Sequence, residues 1–518
     1  MTDKILSGLE ISRRHFLTGV AGAVAVSAIG VSGSAFAQSG EQLKFALSSF
    51  PANMRPFENL GTSAATVRQQ MHRGLLSFDS EGELRAEVAE DWEQRDASTY
   101  AFTLRENAVF HDGSPVTAED VKGTFEAIKE TSGAYHAQDF AIIEEIAIEE
   151  PRTVVFKLSA PSATFPLMCA SFNAPIVKVS SLAENPEDPV GCGPFVLTGS
   201  ERGAWIEMDA FPDYYKDGLP GAAKLRFETM ADDNARLAAL MSGGVHLIEY
   251  APAFEMDAIE ANPDFVLDAV EGPSTYLLFN VEKGPFADAR VRQAVGYAIN
   301  RDEVAEGAFG GRASGLTGLP IPTASPFYSD NEEVKWSYDP DKARELLTEA
   351  GFPNGFDCTL VTYNSSVHQN PAMVAQQHLA AVGINAQLNV VDWPTRIQVG
   401  NQGQYDIGVM ANSGDSNDPD ALKLMLQGDL GPSFYRSHGY NNAEINELLS
   451  QGRQETEQAA RKAIYDRIQE ISKEDPAIIP LCWRDQAYAW TKKVDGFANL
   501  PGFLTFYSGI MLEEVRFV

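Results

Sequence analysis

The side chains able to do covalent or acid–base chemistry are present but not arranged for it. The 518 residues hold 72 Asp and Glu, 8 His and 4 Cys. No Gly-x-Gly-x-x-Gly follows a strand, so no loop is built for a dinucleotide pyrophosphate. No Gly-x-x-x-x-Gly-Lys-[Ser/Thr] is present to cradle a phosphate, and no His-Glu-x-x-His to place two zinc ligands on one helix face. Gly311-Arg312-Ala313-Ser314-Gly315 has its serine one place too late for a nucleophile elbow. The histidines His72, His111, His136, His246, His368, His378 and His438 show no local metal-ligand spacing. With so many carboxylates, a glycosidase pair can always be imagined, and solvated surface is the plainer reading.

Composition narrows the class further. Against the acidic residues stand 40 Lys and Arg, a formal charge of −32. Phosphate backbones are held by clustered Lys and Arg, so nucleic acid is excluded as a partner. An anionic membrane surface is disfavoured for the same reason. Hydrophobic residues make up 44%, an ordinary globular share, and the length calls for more than one core.

The first residues read as an export signal. Ser12-Arg13-Arg14-His15-Phe16-Leu17 precedes a weakly apolar stretch rich in Gly, Ala and Ser, which ends in Ala35-Phe36-Ala37. Paired arginines, a mild hydrophobic region and an A-x-A site predict a twin-arginine signal peptide over 1–37, cleaved near Ala37/Gln38. A retained membrane anchor is the alternative. No later run of 18 apolar residues exists, so the expected location is the periplasm or outer surface, with a soluble mature chain. That compartment permits disulfides. Cys169 with Cys192, and Cys358 with Cys482, are the candidate pairs; buried free thiols are the alternative.

Strands and helices alternate along the chain, which predicts an α/β fold. Period-two alternation marks strands at 42–47 and 100–104, and further strands are read at 154–158, 224–229, 356–362, 384–391, 405–410 and 478–483. Helical spacing marks 64–75, 233–241, 288–300, 373–382, 442–452 and 455–474. Thr117-Ala118-Glu119-Asp120 has the form of a capping box, and Asp339-Pro340 that of a cap with proline in the first turn. No internal repeat or low-complexity linker separates domains.

Several segments in order carry a family resemblance. Ala89-Glu90-Asp91-Trp92 leads through Tyr100–Arg105 to Val109-Phe110-His111-Asp112-Gly113-Ser114-Pro115-Val116. Gly191-Cys192-Gly193-Pro194-Phe195 follows, then Asn234–Gly243, with His246 where Asp is usual. Phe279-Asn280, Phe286–Ala294 and Tyr338–Ala343 complete the series. Together these resemble the family 5 solute-binding proteins of ABC importers, the dipeptide, oligopeptide and nickel receptors.

The resemblance implies a two-lobed periplasmic-binding-protein fold (type II, large cluster C form) with an extra inserted subdomain. Lobe one would be 38–275, completed by 485–518 and containing an insert at about 76–185; lobe two would be 276–484. Crossing strands near 276–280 and 480–484 would form the hinge. The implied function is capture of a peptide or peptide-like solute for a membrane permease, by a monomer without catalysis or cofactor. An opine or other amino-acid conjugate, an oligosaccharide, nickel or haem are the alternative ligands. A sensor or chaperone on the same fold and an exported hydrolase are the other function classes.

The resemblance also implies part of the ligand site. Peptide-binding relatives carry Asp-x-Asn-[Asp/Glu]-Pro, with a Trp 22 residues earlier. Trp393 and Asp415-Ser416-Asn417-Asp418-Pro419 keep that spacing. Asp415 is then the anchor for a ligand ammonium, and Trp393 an apolar wall. The Arg and Trp that oligopeptide receptors place before this Asp are replaced by Val409 and Asn412. The stretch His368–Met373 likewise offers no Arg to read a carboxylate, as the dipeptide receptors do. Asn412, Ser413 and Gln369 are polar candidates, and Phe50, Asn53 and Trp483 are expected at the cleft by position alone.

Overall fold

The computed structural model describes residues 41–518, except Leu60, Ala324, Ser413 and the side chain of Asn412. The expected signal peptide and its cleavage site, like the candidate Ser413 and the side chain of Asn412, lie outside the described residues.

Two lobes share one mixed sheet. Its strand order runs Ile384–Val391, Phe356–Tyr363, Ile407–Asn412, Phe265–Phe279, Ile478–Thr491, Leu247–Ile248, Gln42–Leu47, Lys224–Thr229, Trp205–Ala210, Phe195–Glu201. The short strand Ala313–Gly315 adds to Ile478–Thr491. The first three strands belong to the second lobe and the last five to the first. Phe265–Phe279 and Ile478–Thr491 run through both, so they are the connection. Gln42–Leu47 shows why pattern and burial diverge in such a sheet: it alternates in sequence, yet Phe45, Ala46 and Leu47 are all buried. It is flanked by parallel neighbours and covered on both faces.

A second, antiparallel sheet is built in the order Ala89–Asp96, Thr99–Leu104, Thr153–Leu158, Ile143–Glu150. The helix Ala118–Glu130 covers it. The expected capping box is present: the Thr117 hydroxyl accepts from Asp120 N at 3.1 Å, and Thr117 N donates to the Asp120 carboxylate at 3.3 Å. Phe125 of this helix packs edge-on to Phe140 and Phe156, at 4.9 and 4.8 Å between ring centroids. That packing fixes the turn carrying Tyr135, His136 and Asp139.

The C-terminus closes the first lobe. Gly502–Glu513 winds as 3-10 turns against the helix Thr62–Met71. Gln69 and Gln70 donate to the carbonyls of Tyr507 and Gly509 at 3.1 and 2.8 Å. Glu513 is fully buried with Glu87 in a cage of Arg73, Arg85 and Lys216; Arg73 and Lys216 approach Glu513 at 2.9 and 2.7 Å. Tyr214 donates to Glu513 at 2.6 Å.

The disulfide pairings do not form. All four cysteines are free and buried. For Cys358 and Cys482 the reason is topological: Ile407–Asn412 and Phe265–Phe279 lie between their strands. Three strand spacings amount to about 14 Å, twice what a disulfide can span. Several other expectations differ at their ends. The helix expected at 373–382 begins at Ser366 and runs through Pro371, and the strand expected to stop at 483 continues to Thr491.

Candidate functional site

The connection between the lobes is a paired ribbon with a break in it. Phe265–Glu271 pairs with Asp485–Thr491 on the first-lobe side, and Ser274–Leu278 with Ile478–Trp483 on the second-lobe side. The register slips between Glu271 and Ser274, where Gly272 and Pro273 stand. Proline has no N–H for the ladder, so the break is written into the chain. A Cβ on Gly272 would lie 2.8 Å from Thr505 Cγ2, so the close approach needs glycine.

Above this ribbon the lobes meet through charged side chains. Asp415 follows the strand Ile407–Asn412 in the second lobe. Its Oδ2 lies 3.0 Å from His136 Nε2 of the inserted subdomain, close but off the hydrogen-bond line. His136 Nδ1 is hydrogen-bonded to Asp139 at 2.9 Å. Lys423 of the second lobe reaches Asp139 at 2.8 Å and Asp420 at 3.1 Å, and Arg453 reaches Asp420 at 3.1 Å. Burial alone would push the imidazole down, but Asp139 and Asp415 hold it at about 9. His136 is therefore a cation at neutral pH. Burial would raise the Asp415 carboxyl; His136 and then Lys423 hold it below the usual range. Three carboxylates and three cations balance in this chain. Asp415 is enclosed yet 19% of its side chain stays open to solvent, as at the floor of a narrow gap.

The rest of the Asp-x-Asn-Asp-Pro segment also clasps the lobes. Asn417 donates to Pro501 O at 3.1 Å and accepts from Phe503 N at 2.8 Å, both first-lobe groups. Asp418 caps the turn Pro419–Leu422 and takes both Arg461 nitrogens at 2.6 Å. On another side of the gap Ser366 donates to Asp233 at 3.0 Å.

The walls are aromatic. In the second lobe Trp393, first residue of the helix Trp393–Asn401, stands 5.2 Å from Tyr363, 6.3 Å from His368 and 5.5 Å from Phe434. Asp415 is the principal charge acting on Tyr135 and Tyr507 of the first lobe. The Tyr250 ring lies 5.7 Å from the Arg484 guanidinium on the returning strand. Burial pushes the Tyr250 and Tyr435 phenols up to about 12. Tyr250 has φ of +53°, the left-handed region that costs a non-glycine residue ~1–3 kcal/mol. Its hydroxyl lies 3.0 Å from Thr62 Oγ1.

The candidates chosen from sequence take different places. Asp415 meets His136 across the lobes, Trp393 packs on rings of its own lobe, and Gln369 follows His368 on its helix. Trp483 is buried at the hinge, 5.6 Å from Phe503 in a small apolar cluster with Leu316 and Ala421. Phe50 packs on the first-lobe core. Asn53 accepts from Arg55 N at 2.9 Å and serves its own loop. His246, the departure from the family pattern, accepts from Lys44 N at 3.0 Å and ties the edge of the first strand. Sequence reasoning missed His136, Tyr250 and Arg484.

Comparison with known proteins agrees with this architecture. Residues 83–431 match the model of the bacterial extracellular solute-binding proteins, family 5 (middle). The glutathione-binding protein GsiB of Escherichia coli K12 is 30% identical over 466 residues, covering 86% of this chain and 90% of GsiB. The periplasmic binding protein AgaA of A. tumefaciens R10, solved with agropinic acid, superposes with a TM-score of 0.85 at 36% identity, over 92% of this chain and 99% of AgaA. DppA of Helicobacter pylori, solved with the peptide STSA, shares the fold at a TM-score of 0.82 and 24% identity, over 93% and 98% of the two chains. The chain belongs to family 5 of the bacterial extracellular solute-binding proteins and is a substrate-binding receptor of an ABC importer.

Proposed function

We propose that the gap between the lobes takes a peptide-like or opine-like amino-acid conjugate, with the ligand's cationic nitrogen at Asp415. The observation that carries this is the placement of Asp415: it meets His136 across the lobes and stays partly open to solvent. A carboxylate in such a gap forms a strong, charge-assisted bond to an ammonium. Trp393, Tyr363 and Phe434 give the apolar body of the ligand a wall. A glutathione-binding relative and a relative solved with agropinic acid support an amino-acid conjugate as the solute.

In this reading lobe one is 38–275 with 485–518, and lobe two is 276–484. Residues 1–37 are a twin-arginine signal removed near Ala37/Gln38. The monomeric receptor presents its load to the permease subunits at the outer face of the membrane.

The test is calorimetric titration of the purified protein with glutathione and with di- to pentapeptides, each beside its N-acetylated form. Free-amine probes should bind, and Asp415→Asn should weaken them by about 2–5 kcal/mol. Equal binding of free and N-acetylated probes would remove Asp415 as the anchor.

A further inference from the structure

Arg484 is a buried charge without a countercharge. Only 2% of the residue is exposed. Its Nη1 donates to Gln486 Oε1 at 2.7 Å and, more weakly, to the backbone carbonyl of Asp485 at 3.4 Å. Nε and Nη2 have no partner, and no carboxylate pairs with this guanidinium among the described residues. Arg396 is likewise buried without a carboxylate, its guanidinium 6.0 Å from the Tyr405 ring, while other buried arginines are spent differently. Arg301 donates to four backbone carbonyls, and Arg73 and Arg461 meet Glu513 and Asp418. Burying an unpaired charge costs several kcal/mol, and an anion brought by the ligand would offset that cost at Arg484.

The location says what that is. Arg484 stands where the returning strand passes from one lobe to the other, paired with Ala313. On the first-lobe side its guanidinium lies 5.7 Å from the Tyr250 ring and 5.8 Å from the Phe506 ring. The strained backbone of Tyr250 holds one of these rings in place. On the second-lobe side is His368, whose ring feels Arg484 as its strongest neighbouring charge. Both ring nitrogens of His368 are also buried without a partner. Burial first, then Arg484 and Arg396, push that imidazole down to about 3, so it is neutral and able to donate one hydrogen bond. His368 lies in the first turn of the helix Ser366–Ala381, whose dipole adds positive potential at that end.

We propose that Arg484 and His368 form the anion-binding pole of the cleft, so that the solute is an acid whose carboxylate is held at the hinge. This rests on the gap being the ligand site. It makes the solute a zwitterion: ammonium toward Asp415 and carboxylate toward Arg484, with aromatic walls between. The carboxylate is then read from the hinge strand, beside the helix Ser366–Ala381, and not by an arginine within 368–373.

The test pairs each acid with its uncharged form. Glutathione and agropinic acid are titrated beside their esters, and di- to pentapeptides beside their C-terminal amides. Wild type should bind the acids at least ~100-fold more tightly than the neutral forms. Arg484→Gln should erase that preference, and Arg484→Lys should restore part of it. Acid and neutral forms binding wild type equally would overturn the proposal while leaving the ligand site in place; loss on N-acetylation but not on amidation would do the same and spare Asp415. A second measurement needs no ligand. If Arg484 is there for an anion, ligand-free Arg484→Gln should melt at or above the wild-type temperature. A clearly lower melting temperature would show a structural arginine and overturn the proposal. Should none of the probes bind, the proposed solute class fails, and the ligand-free comparison alone decides Arg484.

Discussion

His136 holds its proton between Asp139 and Asp415, and this gives the folded chain a dependence on alkaline rather than acidic pH. Its pKa is raised from 6.5 to about 9. A raised cationic group stabilises the fold fully below its unfolded value and loses that contribution as pH climbs through the folded value. The groups facing it are Asp139, Asp415 and, one step on, Lys423, with the rings of Tyr135 and Phe140 against its faces. The melting temperature should therefore fall between about pH 6.5 and 9, by on the order of 1–3 kcal/mol of stability. His136→Gln should flatten that segment of the profile; an unchanged profile would mean that His136 is neutral. Asp415 and Trp393 were legible because their spacing repeats a known pattern. His136 was not, because its partner lies in a remote segment and nothing in Tyr135-His136 sets it apart. Arg484 left a trace that was passed over: a charged residue inside a strand otherwise as apolar as Ile478–Trp483.

Among the elements, those with one clean period were readable to the residue. The strand Lys224–Thr229 and the helix Asp233–Met241 agree with their patterns. The misreadings have physical causes. Pro371 stands inside the helix, which absorbs one missing N–H and begins at Ser366. The polar run Arg484-Asp485-Gln486 lies inside the strand, where it leaves one lobe for the other. The partner strand has its own mark, the Gly272-Pro273 break, and this makes a prediction at the same scale. Gly272→Ala should cost about 1–3 kcal/mol in urea unfolding, because the new methyl meets Thr505 Cγ2. Adding Thr505→Ser, which removes that methyl and keeps the hydroxyl bonded to Asn499, should recover most of the loss. No recovery in the double variant would place the cost in the backbone instead.

For the whole molecule, alternation of strands and helices predicted α/β layers, but only the resemblance predicted two lobes. Local periodicity cannot say which strands pair across hundreds of residues. The cage around Glu513 is such a long-range feature. Burial would raise the Glu513 carboxyl, but Arg73, Lys216 and Arg85 hold it well below 4.5. A depressed carboxylate stabilises above its unfolded pKa and loses its contribution as pH falls. Glu513→Gln should therefore cost about 3–5 kcal/mol at neutral pH, by leaving buried cations uncompensated. It should also weaken the acid sensitivity of unfolding below pH 4.5; equal acid midpoints for variant and wild type would contradict the cage's role. The same closure has a consequence for how the molecule is made. The first lobe's sheet lacks a strand until Thr491 is present, and the helix near residue 62 lacks its cover until Glu513 emerges. A ribosome moving from the first codon to the last cannot leave a finished lobe behind it. The first lobe stays unfinished until Glu513 has emerged, and a frameshift or nonsense codon shortly before it would cost this first-made lobe.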